Sequence, residues 1–428
     1  MSHHREAAPQ PAGYGFDRAL LKQPVAARLE YFDRQVTVLH PRQEQAYLEI
    51  WRAMHQPFGV KQLFVVGPSG VGKTTLLRKL RQTIMGEALA DLGRLPGYKP
   101  ICAVLAESPH LRAFHWGRLF RDLLEDLDEP YIDAKVSGLE IASKLATHGS
   151  QRIGLGRRPT TDALRDAVQE ALRQRQPKAV CIDEAHHLVK VGTARRIKDN
   201  ADCLKSLVDK SGRLFVLLGT YELLPLRKQG DQLSRRTSTV HFPRYHIDRA
   251  EDVEMFKRCL VTFEHYLPLA QRPDLLAEWE FLFAHSVGCI GTLKDWLTRA
   301  LNAALHELDL DAEGNVRYDP TGAPCTKPAR TVTRAHLEQT ALPVDDCLTI
   351  ATLATFGEAE LTTTSADADQ LQALLRAPPS TRPGMQRPPP NVPPTDGVHP
   401  HRAGRGHPGQ RKPRRDPVGR FPKVVADA

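Results

Sequence analysis

The residues with the most explicit chemistry run from Leu63 to Thr75, LFVVGPSGVGKTT. Four apolar residues lead into Gly67, Pro68, Ser69, Gly70, Val71, Gly72, Lys73, Thr74 and Thr75, in the spacing G-x-x-x-x-G-K-[ST]. That spacing makes a phosphate cradle. Its glycines let the backbone turn tightly and bring N–H groups against phosphate oxygens, and a helix opening near Lys73 adds the positive end of its dipole. Lys73 can then reach the β- and γ-phosphates while the Thr74 hydroxyl ligates Mg²⁺, so ATP and Mg²⁺ are the expected cofactors. A chance glycine turn would not need the apolar run before it or the helix-compatible run Leu76 to Arg81 after it.

Four further groups extend the chemistry. Ala179 to Glu184 (AVCIDE) places two acids at the end of an apolar strand, at the sheet edge where the phosphate loop lies. Asp183 is assigned to the metal shell, and Glu184 to orienting and polarising a water for in-line attack on the γ-phosphate. Thr220 ends another apolar strand (LLGT), where its hydroxyl would sense the attacking water or the γ-phosphate, or simply cap the helix starting at Glu222. Arg235 and Arg236 follow a short helix in LSRR; an arginine at a subunit edge can neutralise transition-state charge in a neighbour's site, and an exposed basic turn is the plain alternative. Lys294, in GTLK at a helix start, would close on the nucleotide as a second sensor or stand as an ordinary surface lysine. His186 and His187 invite a metal reading, but they are adjacent, do not share a helix face and belong to no H-E-x-x-H pattern, so packed or solvated histidines are the expectation.

These residues need a scaffold. Apolar runs at 63–66, Ile101–Ala106, Ala179–Ile182 and Arg213–Leu218 alternate with helical patterns, which argues a parallel sheet covered on both faces. A helix over Gln43–His55 precedes the first strand, and Thr160 or Thr161 caps a helix through Leu164, Val168 and Leu172. Gly149 to Pro159 reads as a loop. Beyond Pro243 strand signals stop, and helices over Ala250–Tyr266, Pro273–Ser286, Leu293–Leu308 and Arg334–Ala341 make a smaller domain. The fold class is therefore α/β, a P-loop NTPase core with an α-helical lid and a basic tail. The expected division is 1–35 as an N-terminal extension, 36–245 as nucleotide-binding core, 246–345 as lid and 346–428 as a Pro/Arg-rich tail.

Composition adds constraints. The net charge is +9, but residues 376–428 hold eleven Lys/Arg against three Asp/Glu, leaving only about +1 for the rest. Nucleic-acid binding by the folded part must therefore come from a local basic surface. The seven cysteines sit singly, with no C-x-x-C pair, which suits reduced core thiols in a cytosolic protein. No apolar run approaches the roughly 18 residues of a membrane span, and the N-terminus lacks a signal-peptide core, so no membrane partner is expected.

Taken in order, the pieces resemble an AAA+ ATPase, most closely the TniB/TnsC family, ATP-binding regulators of Mu-like and CRISPR-associated transposons. The resemblance covers roughly residues 35 to 345. It is carried by the phosphate loop, IDEAHHL at Ile182 to Leu188, LKSLVDKSGRLFVLLGT at Leu204 to Thr220, QLSRR at Gln232 to Arg236, FEHYLPL at Phe263 to Leu269 and GCIGTLKDWL at Gly288 to Leu297. It implies an initiator-type core with a helical lid and ATP sites shared between neighbouring subunits. Arg235 or Arg236 then becomes the trans-acting finger, Thr220 the first sensor and Lys294 a second. It further implies ATP-bound rings or filaments on double-stranded DNA in a cytoplasmic, nucleoid-associated setting. These would link a TniQ/TnsD-like target selector to a TniA/TnsB-like transposase, whose contact stimulates hydrolysis and disassembly. DNA-facing candidates after the early strands are Lys99, His110, Arg112, Arg118 and Arg121. The long Pro/Arg tail departs from a minimal member of that family.

Two other readings use the same loop. An initiator- or helicase-loader-like ATPase keeps the chemistry and changes the client. A small-molecule kinase explains the loop but not the paired acids, the arginine turn or the helical lid.

Overall fold

The computed structural model describes residues 15–56, 59–95, 97–109, 113–136, 159–190, 193–229, 236–362 and 365–376. The chain divides after Thr362 into two units. The first holds the sheet and all the helices described next; the second contributes the helix Ser365–Arg376.

Five parallel strands form one sheet in the order β2-β3-β4-β1-β5, with β1 Gln62–Val66, β2 Ile101–Leu105, β3 Ala179–Asp183, β4 Leu214–Gly219 and β5 Thr237–His241. The three inner strands are buried along their length and almost wholly apolar, because both of their faces are covered. Phe64 and Val66 pack to one side, against α4 (Trp116–Asp126), α5 (Thr161–Arg175) and α6 (Ala194–Ser211). Leu63 and Val65 pack to the other, against α2 (Pro41–His55) and α3 (Lys73–Glu87). α5 starts where its cap directs it: Thr160 Oγ1 accepts the Ala163 N–H at 3.2 Å.

β5 has no counterpart in the sequence reading. Its TSTVH alternates polar and apolar residues, and only Val240 is buried, as suits an edge strand with one face on the core.

A second core is helical. It gathers α7 (Ala250–Tyr266), α8 (Trp279–Ser286), α9 (Ile290–Leu305) and α10 (Arg334–Thr340) around Trp296, Phe256 and Phe263. Two boundaries expected from sequence are corrected here. Residues 15–35 are not merely an extension: α1 (Val25–Glu30) and the turn after it drive Phe32 and Val36 into this helical core, and Arg28 donates to the Pro268 carbonyl at 2.5 Å. The weak pattern hid a short amphipathic piece with few but fully buried anchors. Nor does the tail begin at 346. α11 (Val344–Leu361) belongs to the first unit, with Ala354 buried and Arg244 paired to Glu358 at 3.2 Å. Residues 149–158 of the expected loop and 377–428 of the expected tail lie outside the described residues. All seven cysteines are free thiols. No described helix is long and apolar enough to cross a membrane.

Core and lid are joined by a polar seam. Arg42 on α2 pairs with Asp252 on α7 at 2.7 Å, and Asp252 also accepts the His246 N–H at 2.9 Å. Beside them His40 Nδ1 lies 3.0 Å from the Tyr245 hydroxyl, and burial, aided by Arg42, pulls the His40 imidazole down to about 4.

Two expectations test this packing. Phe32→Ala should lower unfolding free energy by about 3–5 kcal/mol, the cost of emptying a buried aromatic site; a loss below about 0.5 kcal/mol in urea titration would return residues 1–35 to the status of an appendage. His40 in the folded chain takes its proton only near pH 4, an unfolded one near 6.5. The unfolded chain therefore binds more protons in that window. Stability is undiminished above about pH 6.5 and falls toward pH 4, by about 3 kcal/mol from this group. His40→Gln should flatten that slope, and an unchanged slope would exclude His40 as its source.

Candidate functional site

The phosphate loop leaves β1 at Gly67 and enters α3 at Lys73, and β3 and β4 end beside it. Two of its glycines take left-handed backbone, Gly70 at φ 74° and Gly72 at φ 109°. A side chain at either would be strained, and the turn exposes the first N–H groups of α3 to the space above.

Neighbouring backbone confines the loop from two directions. A Cβ on Gly67 would meet the Phe242 carbonyl oxygen at 2.1 Å, and one on Gly291 would meet the Gly70 carbonyl oxygen at 2.4 Å. At the second point the Thr292 N–H donates to Gly70 O at 2.9 Å, so the first turn of α9 is hydrogen-bonded to the loop. The lid therefore touches the phosphate loop through backbone at Gly291 and Thr292, and through the Thr292 side chain, which fills the space a Cβ on Gly70 would need.

A cavity of about 660 Å³ opens at this junction, within the range of small-molecule sites. Ser69, Gly70, Gly72, Lys73, Thr74 and Thr75 form its floor; Glu184, Thr220 and Lys294 stand around it. Of the loop residues expected to bind phosphate, Gly67, Pro68 and Val71 do not line it. Val71 is buried in the core and anchors the turn, and Gly67 and Pro68 offer carbonyl oxygens to Lys73 Nζ at 3.0 and 2.8 Å. Burial draws the Lys73 ammonium below the ordinary lysine value, opposed by Glu184 and Asp183.

Thr74 Oγ1 donates to Asp183 Oδ2 at 2.8 Å, so the hydroxyl and carboxylate expected around Mg²⁺ are adjacent. Two hard oxygen donors, with room left for water and phosphate, fit the coordination Mg²⁺ prefers. Asp183 is held by a further bond from the Glu184 N–H at 2.9 Å.

Glu184 occupies left-handed backbone at φ 51°, unusual for a residue with a side chain. Conformations of this kind cost about 1–3 kcal/mol and concentrate at functional sites. Its carboxyl is held below its ordinary value, first by the His186 imidazole beside it, against the opposing effect of burial. His186 Nδ1 lies 3.0 Å from Glu184 Oε2, yet too far off the donor axis to count as a hydrogen bond. Of the two histidines expected to be packed or solvated, His186 is buried, and the single 3₁₀ turn Ala185–Leu188 brings it together with His187 and Glu184, their ligand-capable atoms within 4.8 Å of one another.

The remaining predicted residues are placed as follows. Thr220 makes no capping bond to the turn after it, and its hydroxyl lies 3.4 Å from Glu222 Oε2. Lys294 Nζ donates to the Asp33 carbonyl at 2.6 Å. Arg236 stands immediately before β5, which runs parallel to β1. It therefore sits at the amino edge of the sheet, about 16 Å of strand from the cavity, and pairs with Asp209 at 3.2 Å. It does not reach its own subunit's site. Arg235 lies outside the described residues, as do His110 and Arg112. Lys99 precedes β2 rather than following it and pairs with Asp128 at 2.6 Å. Arg118 is held by Asp122 at 3.1 Å and Glu107 at 3.2 Å, and Arg121 by Asp133 at 2.8 Å. Exposed pairs of this kind are worth about 0–1 kcal/mol and give way readily to phosphate.

Sequence reading missed four cavity residues: Asp33, Arg34, Arg78 and Asp295. Arg78 was legible, because it stands one helical turn beyond Thr74 on α3. Asp33 and Arg34 were not, because nothing local ties the N-terminal segment to the lid.

Gly291→Ala tests the loop–lid contact. The added methyl must push Gly70 away, and affinity for an ATP analogue should fall about tenfold, near 1.4 kcal/mol, with the fold retained by circular dichroism. Wild-type affinity would show that loop and lid are free to separate.

No curated protein matches the sequence. Among solved structures the chain is similar to the Aeropyrum pernix ORC2 protein in its ADP form, at 15% identity and a TM-score of 0.39, over 64% of this chain and 66% of that one. It is also similar to Drosophila ORC bound to DNA (12% identity, TM-score 0.41, 89% of this chain and 73% of that one). A third is the Aeropyrum pernix ORC1 protein in complex with DNA (15%, 0.41, 73% and 68%). Residues 58–226 match the family model described as an AAA domain. With the five-stranded parallel sheet and the phosphate loop at its carboxyl edge, the chain has the AAA+ P-loop NTPase fold.

Proposed function

We propose that the chain is a Mg²⁺-dependent ATPase that assembles with copies of itself on double-stranded DNA and uses hydrolysis to end that assembly. The observation that carries the proposal is the convergence of Lys73, Thr74, Asp183 and Glu184 on one cavity that the lid also lines through Lys294. Lys73 is held above the loop by two carbonyls, so its ammonium has only to exchange those oxygens for phosphate. Thr74 and Asp183 would hold Mg²⁺, which supplies charge neutralisation of the phosphates when bound. Glu184, deprotonated and close to the loop, orients and polarises the attacking water. Thr220 and Lys294 read the γ-phosphate from β4 and from the lid.

The site is incomplete in one respect. Among the described residues, positive charge reaches the cavity from Arg34, Lys73, Arg78 and Lys294, and Arg236 of the LSRR turn stands at the opposite sheet edge. An arginine supplied by a neighbour would be worth roughly 10³- to 10⁵-fold in rate. This supports Arg235 or Arg236 acting in trans, and with it self-assembly. The transposition role, with a TniQ/TnsD-like selector and a TniA/TnsB-like transposase as partners, rests on the segment resemblance. An initiator- or loader-like client is the second reading, and the AAA+ fold suits both. Lys99, Arg118 and Arg121 remain the described candidates for DNA phosphate.

Glu184→Gln should bind ATP normally, hydrolyse about 10²- to 10⁴-fold more slowly and stay assembled on duplex DNA longer than wild type. Lys73→Ala subunits mixed with Arg235→Ala/Arg236→Ala subunits should regain part of the wild-type rate, since each mixed interface can pair an intact loop with an intact finger. Absence of rescue at every ratio would remove the shared site from the proposal. DNA affinity should also fall steeply with salt.

A further inference from the structure

Two histidines serve none of the steps above, and both meet the carboxylate that does. Glu184, His186 and His187 each direct a ligand-capable atom into one space, all within 4.8 Å of one another. The two imidazoles lie face to face at an angle, with ring centroids 4.4 Å apart and planes at 42°. Nδ1 of His186 and Nδ1 of His187 are both shut off from solvent; the first lies 3.0 Å from Glu184 Oε2 without hydrogen-bond geometry, and the second makes no hydrogen bond. Each such orphaned polar atom costs about 1–3 kcal/mol. The His186 side chain is only 7% exposed, so water does not relieve it.

Packed histidines normally spend both ring nitrogens on partners, and two unsatisfied ones beside a carboxylate point to an absent ligand. That ligand must accept electron pairs from two imidazoles and one carboxylate. A proton satisfies one pair at most, and Mg²⁺ prefers oxygen and keeps its waters. A borderline-soft divalent ion such as Zn²⁺ suits a His₂Glu set and retains a fourth position for water. An outer-shell acceptor stands nearby: Glu222 Oε2 lies 3.9 Å from His186 Nε2, outside direct hydrogen-bond reach, and pairs with Lys190 at 3.1 Å. A tetrahedral site with bonds near 2.0–2.1 Å has ligand atoms roughly 3.3 Å apart, so pairs of ligand atoms need to close by up to about 1.5 Å.

We propose that Glu184, His186 and His187 form a transition-metal site, filled by Zn²⁺, that withholds the Glu184 carboxylate from the hydrolytic water. Lys73, Thr74 and Asp183 are left in place, because Asp183 is bonded to Thr74 and to the Glu184 N–H and contributes nothing to the cluster. The zinc-loaded chain binds nucleotide and does not turn it over. Its hydrolytic state is then set by free zinc as well as by its neighbours. The inhibitory half of this inference rests on Glu184 acting on the water; the binding half does not.

The test separates them. Full-length chain is titrated with Zn²⁺ against a chromophoric chelator, and in parallel with Co²⁺, whose visible absorption reports a tetrahedral nitrogen–oxygen set. Wild type should take up one ion per chain at this site. Glu184→Gln and His187→Ala should each bind it at least tenfold more weakly, with folding checked by circular dichroism; Glu184→Gln preserves shape and charge-free hydrogen bonding should His187→Ala fold poorly. Equal zinc affinity in wild type and both variants overturns the site. ATP turnover at constant excess Mg²⁺ should fall at least tenfold on zinc loading, recover on chelation and resist zinc in His187→Ala, each protein being compared with its own zinc-free rate. Undiminished turnover in a zinc-loaded wild type overturns the inhibition. A chain with no ATP turnover under any condition would instead defeat the ATPase reading, and the zinc titration would still decide the metal site.

Discussion

One backbone contact constrains the molecule more than any other: the hydrogen bond from Thr292 N–H to Gly70 O, made possible because Gly291 has no Cβ. It ties the phosphate loop to the first turn of a lid helix far away in sequence. On its other side the loop leans on Phe242 at the end of β5. A turn held from both sides cannot yield much when phosphate arrives, so its N–H groups are pre-arranged and the lid must register the change. The same contact explains why Lys294, three residues after Gly291, stands over the cavity, and why the N-terminal segment reaches it by packing Phe32 under the lid.

The acidic end of the site follows a different rule. β3 ends on Asp183, which faces Thr74, and the chain must then turn sharply within one residue. Glu184 pays for that turn with left-handed backbone, and the turn is what swings its carboxylate toward the cavity and the two histidines behind it. Position of the carboxylate and proximity of the imidazoles are thus one consequence of one strained residue. A separate cavity of about 450 Å³ adjoins this corner, bounded by Leu353 and Phe356 of α11, so Glu184 is approached from a second, more apolar side.

Much of this was legible in the residues. The inner strands announce themselves as continuous apolar runs, because parallel strands are buried on both faces, and the loop spacing fixes where a phosphate would sit. What escaped did so for identifiable reasons. β5 is an edge strand with a half-polar pattern. Residues 15–38 bury few side chains, and Phe32, Val36 and Val38 do so in a core whose other buried members lie more than two hundred residues away. α11 has a low-contrast pattern, with Phe356 and Leu348 exposed and Ala354 and Gly357 buried, so apolarity there does not report the packed face. The meeting of His186 with His187 needed a 3₁₀ turn after a left-handed residue, which no periodicity of 3.6 or 2 anticipates.

The central claim is that triphosphate bound between loop and lid completes its site with a neighbour's arginine and thereby strings subunits along DNA. A cryo-electron microscopy structure with Mg²⁺, a nonhydrolysable ATP analogue and duplex DNA tests it directly. The account predicts nucleotide between Lys73 and Lys294, Lys73 shifted from the Gly67 and Pro68 carbonyls onto phosphate, and Arg235 or Arg236 of the adjacent subunit at the γ-phosphate. Subunits arranged identically on DNA with that position empty, or nucleotide bound away from the loop, would contradict it.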